Sequence, residues 1–295
     1  MERVGDWVRG IPPVTRYWAV AIFATATAIS LKLVSKTSLF FNAEKAFNNQ
    51  SWRFFSSFFY FNELSVELLI NIFFLVRSCR LLEESFFTRP ALLPSSAKKL
   101  NERQMDILQK YIDRNKSIDY FYFILQICVS IILLASYGHY RLGFKASTLL
   151  GVLLDDILLY IWCRSNPDLE VNMLGFFTIK TAYVPWFHTV LYGIMDGSLF
   201  KAIGDLLRGQ FSFFESTMMW RILMSYPLGH FWWFTREFLL STLYHDPYDG
   251  RRKAREETLK LHKTNDLNIA RDLLKALLLP PWYWVIIAKI KSNVA

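Results

Sequence analysis

The chain has 295 residues and a formal net charge of +9; it is 53% hydrophobic and 17% aromatic, with 26 Phe and 10 Trp. That much aromatic surface exceeds what a soluble domain needs and suits bilayer spans and interface belts, while a charged fraction of 20% requires substantial polar loops between them. The basic residues sit beside apolar runs, as loops at an anionic leaflet do, which sets a nucleic-acid role aside.

The opening Ile11-Pro12-Pro13-Val14-Thr15-Arg16-Tyr17-Trp18 places a two-proline stop, a cation and an interfacial aromatic pair ahead of the first apolar run. This is the pattern of a chain entering a bilayer from its basic side. No cleavable signal peptide is legible, because the run begins behind the prolines and is long enough to stay in the membrane. A hydrocarbon core about 30 Å thick needs about 20 helical residues, fewer where the bilayer is thinned.

Six spans are predicted on that scale. The first is Tyr17–Val34, and the second is Leu64–Leu82, with Glu67, Asn71, Arg77 and Arg80. Tyr120–Tyr137 is the most hydrophobic, and Ser147–Cys163 holds the adjacent Asp155 and Asp156. Ala182–Phe200 includes Pro185, His188 and Asp196, and Met218–Tyr244 includes Arg221, Pro227, His230, Arg236 and Glu237. The residues Asp246–Ala276 are charged and helix-prone. They lead into Leu277-Leu278-Leu279-Pro280-Pro281-Trp282-Tyr283-Trp284-Val285-Ile286-Ile287, too short and proline-broken to span. With Lys289 and Lys291 beside it, this run reads as an interfacial anchor; docking on the protein's own surface is the alternative.

Charge sets the orientation. The segment between the second and third spans carries seven Lys/Arg, from Arg89 to Lys116, and the stretch after the sixth span is denser still. The loop between the third and fourth has only Arg141 and Lys145. By the positive-inside rule both termini face the cytosol. The organisation expected is a cytosolic interfacial segment (1–16), a six-span membrane domain (17–244) and a basic cytosolic tail with its amphipathic anchor (245–295). Two glycosylation sequons, at Asn49 and Asn115, fall on opposite sides of that topology.

Polar residues within spans are expensive in lipid and must face protein or water. Asp155 and Asp156 point about 100° apart on a helix, so they do not make a catalytic dyad. One of them has His188 or Arg236 as a candidate partner across the bundle, and the other has a water-filled cavity. Two readings stay open: a hydrophilic groove within the bilayer, or a buried structural ion pair. Glu67 and Asn71, four apart, share one helix face and suit interhelical hydrogen bonding. Arg236 and Glu237 either pair with other helices or again mark wet membrane. The five His and three Cys are scattered without ligand spacing or a disulfide framework, so no metal or other cofactor is expected.

Several separated stretches together resemble the Derlin family, rhomboid-like proteins of the endoplasmic reticulum membrane. They are the entry Ile11–Trp18, the pair Trp52-Arg53, and Asn71 with Leu82-Glu83. The block Leu149-Leu150-Gly151 through Tyr160-Ile161-Trp162-Cys163-Arg164-Ser165-Asn166-Pro167 follows, then Asn172–Phe177, Tyr183–Trp186, and Gly229-His230 with its aromatics. The resemblance covers roughly residues 5–245. It implies an all-α, rhomboid-like six-helix transmembrane bundle with an interfacial C-terminal helix. The role it implies is helping misfolded proteins leave the endoplasmic reticulum for degradation, without peptidase activity. Where a rhomboid protease has its Gly-x-Ser-Gly turn, this chain reads Gly151-Val152-Leu153-Leu154, with no nucleophile for a base to activate.

The partners so implied are misfolded clients, a membrane ubiquitin ligase complex, lipids and, indirectly, a cytosolic AAA ATPase, since the tail lacks the family's Phe/Gly-containing motif. Self-association is left open. Trp52-Arg53 suits an interfacial loop, with the guanidinium holding either a phosphate or the loop's own carbonyls. Ser225 and Gly229 form a small-xxx-small packing face around Pro227, where a kink is expected. The connection from Ser198 to Gly229 is longer than the family pattern. The alternative functions are a non-translocating membrane adaptor or chaperone subunit of a quality-control or import complex and, more remotely, an intramembrane protease with an unrecognised nucleophile.

Overall fold

A computed structural model describes residues 9–88, 92–93, 97, 100–142, 149–173, 177–195, 197–208, 217–239 and 275–293. The described residues are overwhelmingly helical, with one two-stranded antiparallel hairpin. They fall into two units, Met1–Ser85 with Ile124–Trp233, and Phe86–Phe123 with Phe234–Ala295.

In the first unit α1 runs from Pro13 to Ser30, four residues ahead of the expected span. The prolines start this helix rather than stopping the chain before it: Pro13 sits in the first turn, where its missing N–H costs nothing. Thr15, Trp18, Ile22, Ala26 and Ile29 make a buried stripe at helical spacing, and α1 packs along α2 (Val66–Glu84). The helix supplies no N-terminal cap of its own. Glu83, at the far end of α2 and 1% exposed, fills that place. Its carboxylate accepts from the backbone N–H groups of Val14 (3.2 Å) and Thr15 (2.9 Å) and from the Thr15 hydroxyl (2.8 Å). Two motifs nearly seventy residues apart in the chain are thus one junction.

The long helix α4 (Lys116–Leu142) contains the one segment among the described residues, Lys116–Arg141, that is long and apolar enough by itself to cross a membrane, with a mean hydropathy of 2.1 in its most apolar 18 residues. The other expected spans are shorter or more polar. Helix α5 (Leu150–Ser165) is the centre of the unit, with every residue from Leu150 to Leu159 buried. A helix apolar on all sides belongs inside a bundle. It starts hard against the loop after α1: the Gly151 N–H donates to the Ser57 carbonyl at 3.1 Å. A Cβ at Gly151 would lie 2.7 Å from the Phe58 carbonyl oxygen and 2.8 Å from the Phe61 ring. Backbone is in the way there, so Gly151→Ala should destabilise the fold by about 1–3 kcal/mol, read as a lowered Tm in detergent micelles.

After α5 the chain forms the hairpin β1 (Glu170–Met173) and β2 (Phe177–Lys180), paired Glu170 with Lys180 through Met173 with Phe177. The fifth expected span is not one helix. A 3-10 turn at Thr181–Tyr183 leads into α6 (Val184–Met195), the chain turns at Gly197 with φ +74°, and α7 (Ser198–Leu207) follows. A glycine with positive φ ends a helix as a side chain there would not allow; Asp196 itself lies outside the described residues. Helix α8 (Thr217–Trp233) packs most extensively on α5 and runs through Pro227 as one helix, then loosens into a π turn at Phe234–Leu239. The expected span end at Tyr244, and the tail up to residue 274, lie outside the described residues.

In the second unit α3 (Glu102–Arg114) opens with a capping box between Asn101 and Gln104. Its buried face, Gln104, Leu108 and Ile112, receives α9 (Trp282–Asn293), whose Tyr283, Ile287 and Ile290 are buried. Of the two alternatives for this segment, docking on the protein's own surface describes one side of α9. The inner side docks on the protein, while Trp284 and Val285 point outward, about half exposed.

Candidate functional site

The loop between α1 and α2 holds the first predicted pair. Arg53 is buried in it, donating to the carbonyls of Thr37 (2.8 Å) and Phe40 (2.6 Å) and to the Gln50 side chain (2.6 Å). One guanidinium thus ties the stretch from Thr37 to Phe40 to Gln50 within the loop. Trp52 is half exposed, with its indole N–H directed at the Ser38 carbonyl (3.3 Å) and its ring free for an interface. Trp18 of α1 ties the same loop down through its indole N–H on the Phe58 carbonyl, 3.1 Å.

The second site is a polar cluster in the middle of the bundle. Asp156 of α5 accepts two hydrogen bonds from Arg221 of α8, one of them from Nη2 at 2.7 Å. His188 of α6 lies 3.4 Å from Asp156 through Nδ1. The Tyr192 ring lies against the guanidinium, 3.9 Å from centroid to Cζ, and Phe74 of α2 meets the His188 imidazole edge-on. Asp155 interacts electrostatically with His188 and Arg221, and its Oδ1 is buried without a hydrogen-bond partner. Four helices therefore converge on a carboxylate–guanidinium pair whose members are 4% and 7% exposed. The two-point geometry fixes the guanidinium plane and so the rotation of α8 about α5. Nearby, the Tyr226 hydroxyl donates to the Pro185 carbonyl at 2.7 Å, and the Tyr160 hydroxyl meets His230 Nδ1 at 3.0 Å.

The small-residue face is brought to the same interface. Ser225 is 1% exposed, with its hydroxyl turned back onto the Arg221 carbonyl (2.7 Å). A Cβ at Gly229 would come within 3.0 Å of the Tyr160 ring. Both residues thus lie at the contact between α8 and α5.

The other predicted groove residues are placed apart. Glu67 stands at the start of α2 and accepts from the Asn62 amide (3.0 Å), while Asn71, one turn on, is buried. Arg236 and Glu237 fall in the π turn of the second unit. Of the two candidate partners for an aspartate, His188 lies beside Asp156. Arg236 is stacked over Phe86 (3.9 Å) and Phe123 (4.6 Å) and donates to the Phe87 carbonyl at 3.3 Å. The cation paired with Asp156 is Arg221.

Sequence reasoning passed over two carboxylates. Glu83 stood out only within the family-like Leu82-Glu83 at the end of an apolar helix, with no partner legible. Asp119, 1% exposed, accepts from the hydroxyls of Thr88 and Tyr283 and from the Trp282 indole at 3.1 Å. Burial, with Asp119 beside it, pushes the Tyr283 hydroxyl well above the usual phenol range, so that it remains a donor. The place of a rhomboid nucleophile is filled by Leu153, itself 2% exposed.

A family model described as the Der1-like family matches residues 11–227. The chain is similar to Derlin-2.1 of Arabidopsis thaliana, 29% identical over 213 residues that cover 70% of this chain and 75% of that one. It is 26% identical to Derlin-2.1 of Zea mays over 241 residues, covering 80% and 78% of the two chains. A probable derlin-2 homolog of Dictyostelium discoideum is 26% identical over 182 residues, 61% of each. The matched region contains the Glu83 junction, the Arg53 loop and the Asp156–Arg221 pair.

Proposed function

From the premise that the chain belongs to the Der1-like family, a family of membrane proteins, we propose that it is a non-catalytic factor of endoplasmic-reticulum-associated degradation. In this reading it is a six-span protein with both termini cytosolic, and it assists misfolded polypeptides across a locally thinned bilayer. Its partners are those clients, a membrane ubiquitin ligase complex and, through that complex, a cytosolic AAA ATPase.

The observation that carries the reading is helix length. Helix α5 has 16 residues and α6 has 12, so they reach about 24 Å and about 18 Å, against a hydrocarbon core about 30 Å thick. Helix α5 is enclosed by its neighbours, but α6 turns Trp186, Val190 and Ile194 outward, and lipid beside it must thin, or water must enter, at a cost of fractions of a kcal/mol per Å of mismatch. Thinning shortens the stretch of hydrocarbon in which a crossing backbone leaves its N–H and C=O groups unsatisfied. The loop braced by Arg53 keeps Trp52 at the edge of that zone. Leucine at position 153 removes the acyl-transfer chemistry of a rhomboid protease. The closed Asp156–Arg221 pair supports the bundle and is not itself the path.

The test is the half-life of a misfolded lumenal reporter and a misfolded membrane reporter in cells depleted of this chain and re-supplied with wild type or Trp52→Ala. Wild type should shorten at least one half-life several-fold, and Trp52→Ala should restore only part of that. Equal decay with and without the chain would sink the proposal. A requirement for the chain that Trp52→Ala leaves untouched would move the adaptor reading ahead.

A further inference from the structure

Helix α7 has no place in the six-span plan, and its surface divides into three sectors. At about 100° per residue, Leu199, Phe200, Ala202, Ile203 and Leu207 occupy one broad arc, and Ser198, Lys201 and Asp205 occupy the opposite one. Within the apolar arc the two edges differ. Ala202 is 7% exposed against the rest of the first unit, where α7 packs on α6 and α8. Phe200 is 63% exposed, Ile203 48% and Leu207 83%.

A helix with a protein-facing edge, an uncovered apolar edge and a polar back fits one environment, the boundary between water and hydrocarbon. The elbow at Gly197, φ +74°, turns α7 away from α6 where that short helix stops. Lys201 and Arg208, seven residues apart and both exposed, lie on one side of α7, bordering Phe200 and the uncovered edge. Their stems can run along apolar surface while the cations reach phosphate.

We propose that α7 is an in-plane lipid helix: its Phe200–Ile203–Leu207 edge is buried in the acyl-chain boundary of one leaflet and its Lys201 and Arg208 meet lipid phosphates. The inference rests on the membrane reading of the chain and adds a source for the thinning. A helix lying in one leaflet spreads the headgroups above it and draws that leaflet toward the bilayer centre, next to the shortest transmembrane element. α7 is then the part of the molecule that acts on lipid directly, while α5 and α6 only fail to fill its thickness.

The test uses the full chain in vesicles of phosphatidylcholine and phosphatidylserine, with nitroxide labels introduced one at a time through Phe200→Cys, Lys201→Cys, Ile203→Cys and Leu207→Cys. Collision with oxygen, which concentrates in lipid, is compared with collision with a water-soluble nickel chelate. The parent chain labelled in parallel sets the background from Cys79, Cys128 and Cys163, of which the first and last are buried. Labels replacing Val129 and Leu133 on α4, 55% and 64% exposed, provide the reference for lipid.

Positions 200, 203 and 207 should favour oxygen several-fold over nickel, as positions 129 and 133 do, with position 201 reversed. If nickel reaches 203 and 207 as readily as 201 while 129 and 133 stay in lipid, α7 faces water and the inference falls alone. Exclusion of both relaxants from 203 and 207 would show a protein surface covering the edge and would overturn it as well. Nickel at 129 and 133 would overturn the membrane reading together with this one.

Discussion

Arg221→Met is expected to destabilise the folded chain by roughly 3–5 kcal/mol, the cost of leaving a buried charge without its partner. Asp156 loses two charge-assisted hydrogen bonds, and His188, 3.4 Å away through one nitrogen, cannot replace a planar fork. The Tyr192 ring also loses the cation lying on it. The readout is thermal unfolding and protease resistance in detergent micelles. Combining the change with Asp156→Asn should recover much of the loss, because what destabilises is the unpaired carboxylate and not the absence of the pair. A single variant within about 1 kcal/mol of wild type would mean that the pair is open to water after all, which would return the cluster to the groove reading.

The second large effect is expected at Glu83. Removing its carboxylate with Glu83→Ala strands the N–H groups of Val14 and Thr15 and the Thr15 hydroxyl at a buried helix start. Hydrogen bonds to a charged group, placed where the helix dipole favours an anion, together contribute about 2–4 kcal/mol. The diagnostic is local: amide hydrogen exchange at Val14 and Thr15 should accelerate by at least tenfold, while α5 amides change only as much as global stability does. Uniform acceleration everywhere would make Glu83 an ordinary core residue rather than the cap of α1.

The helices were legible where the apolar run alone decides them. Lys116–Leu142 and Leu150–Ser165 overlap their expected spans closely because neither the hydrophobic run nor its flanks offer an alternative. Ala182–Phe200 misled, because Asp196-Gly197-Ser198 was taken as a polar patch within one span, whereas the chain turns there, with Gly197 at φ +74°. At the candidate site Asp156 and His188, both singled out in the sequence as polar residues in apolar runs, lie 3.4 Å apart. Their cation was hidden among several basic residues of one segment. Choosing Arg221 over Arg236 requires knowing which level of α8 faces α5, a property of packing against Ser225 and Gly229 and not of chain distance. Glu83 and Asp119 were harder still. Each serves a partner 68 or 164 positions away, and nothing local in their neighbourhood records it.

The separation of Asp119 from Tyr283 also sets a timetable. The carboxylate is synthesised 164 positions ahead of the hydroxyl that closes over it. At ribosomal rates of about 5–20 residues per second, that leaves Asp119 waiting roughly 8–30 s in every nascent chain. For that interval α3 and the start of α4 hold an uncovered apolar seam and a carboxylate short of two donors. A protein whose proposed work is the disposal of incomplete chains is itself, until α9 has followed, an incomplete chain.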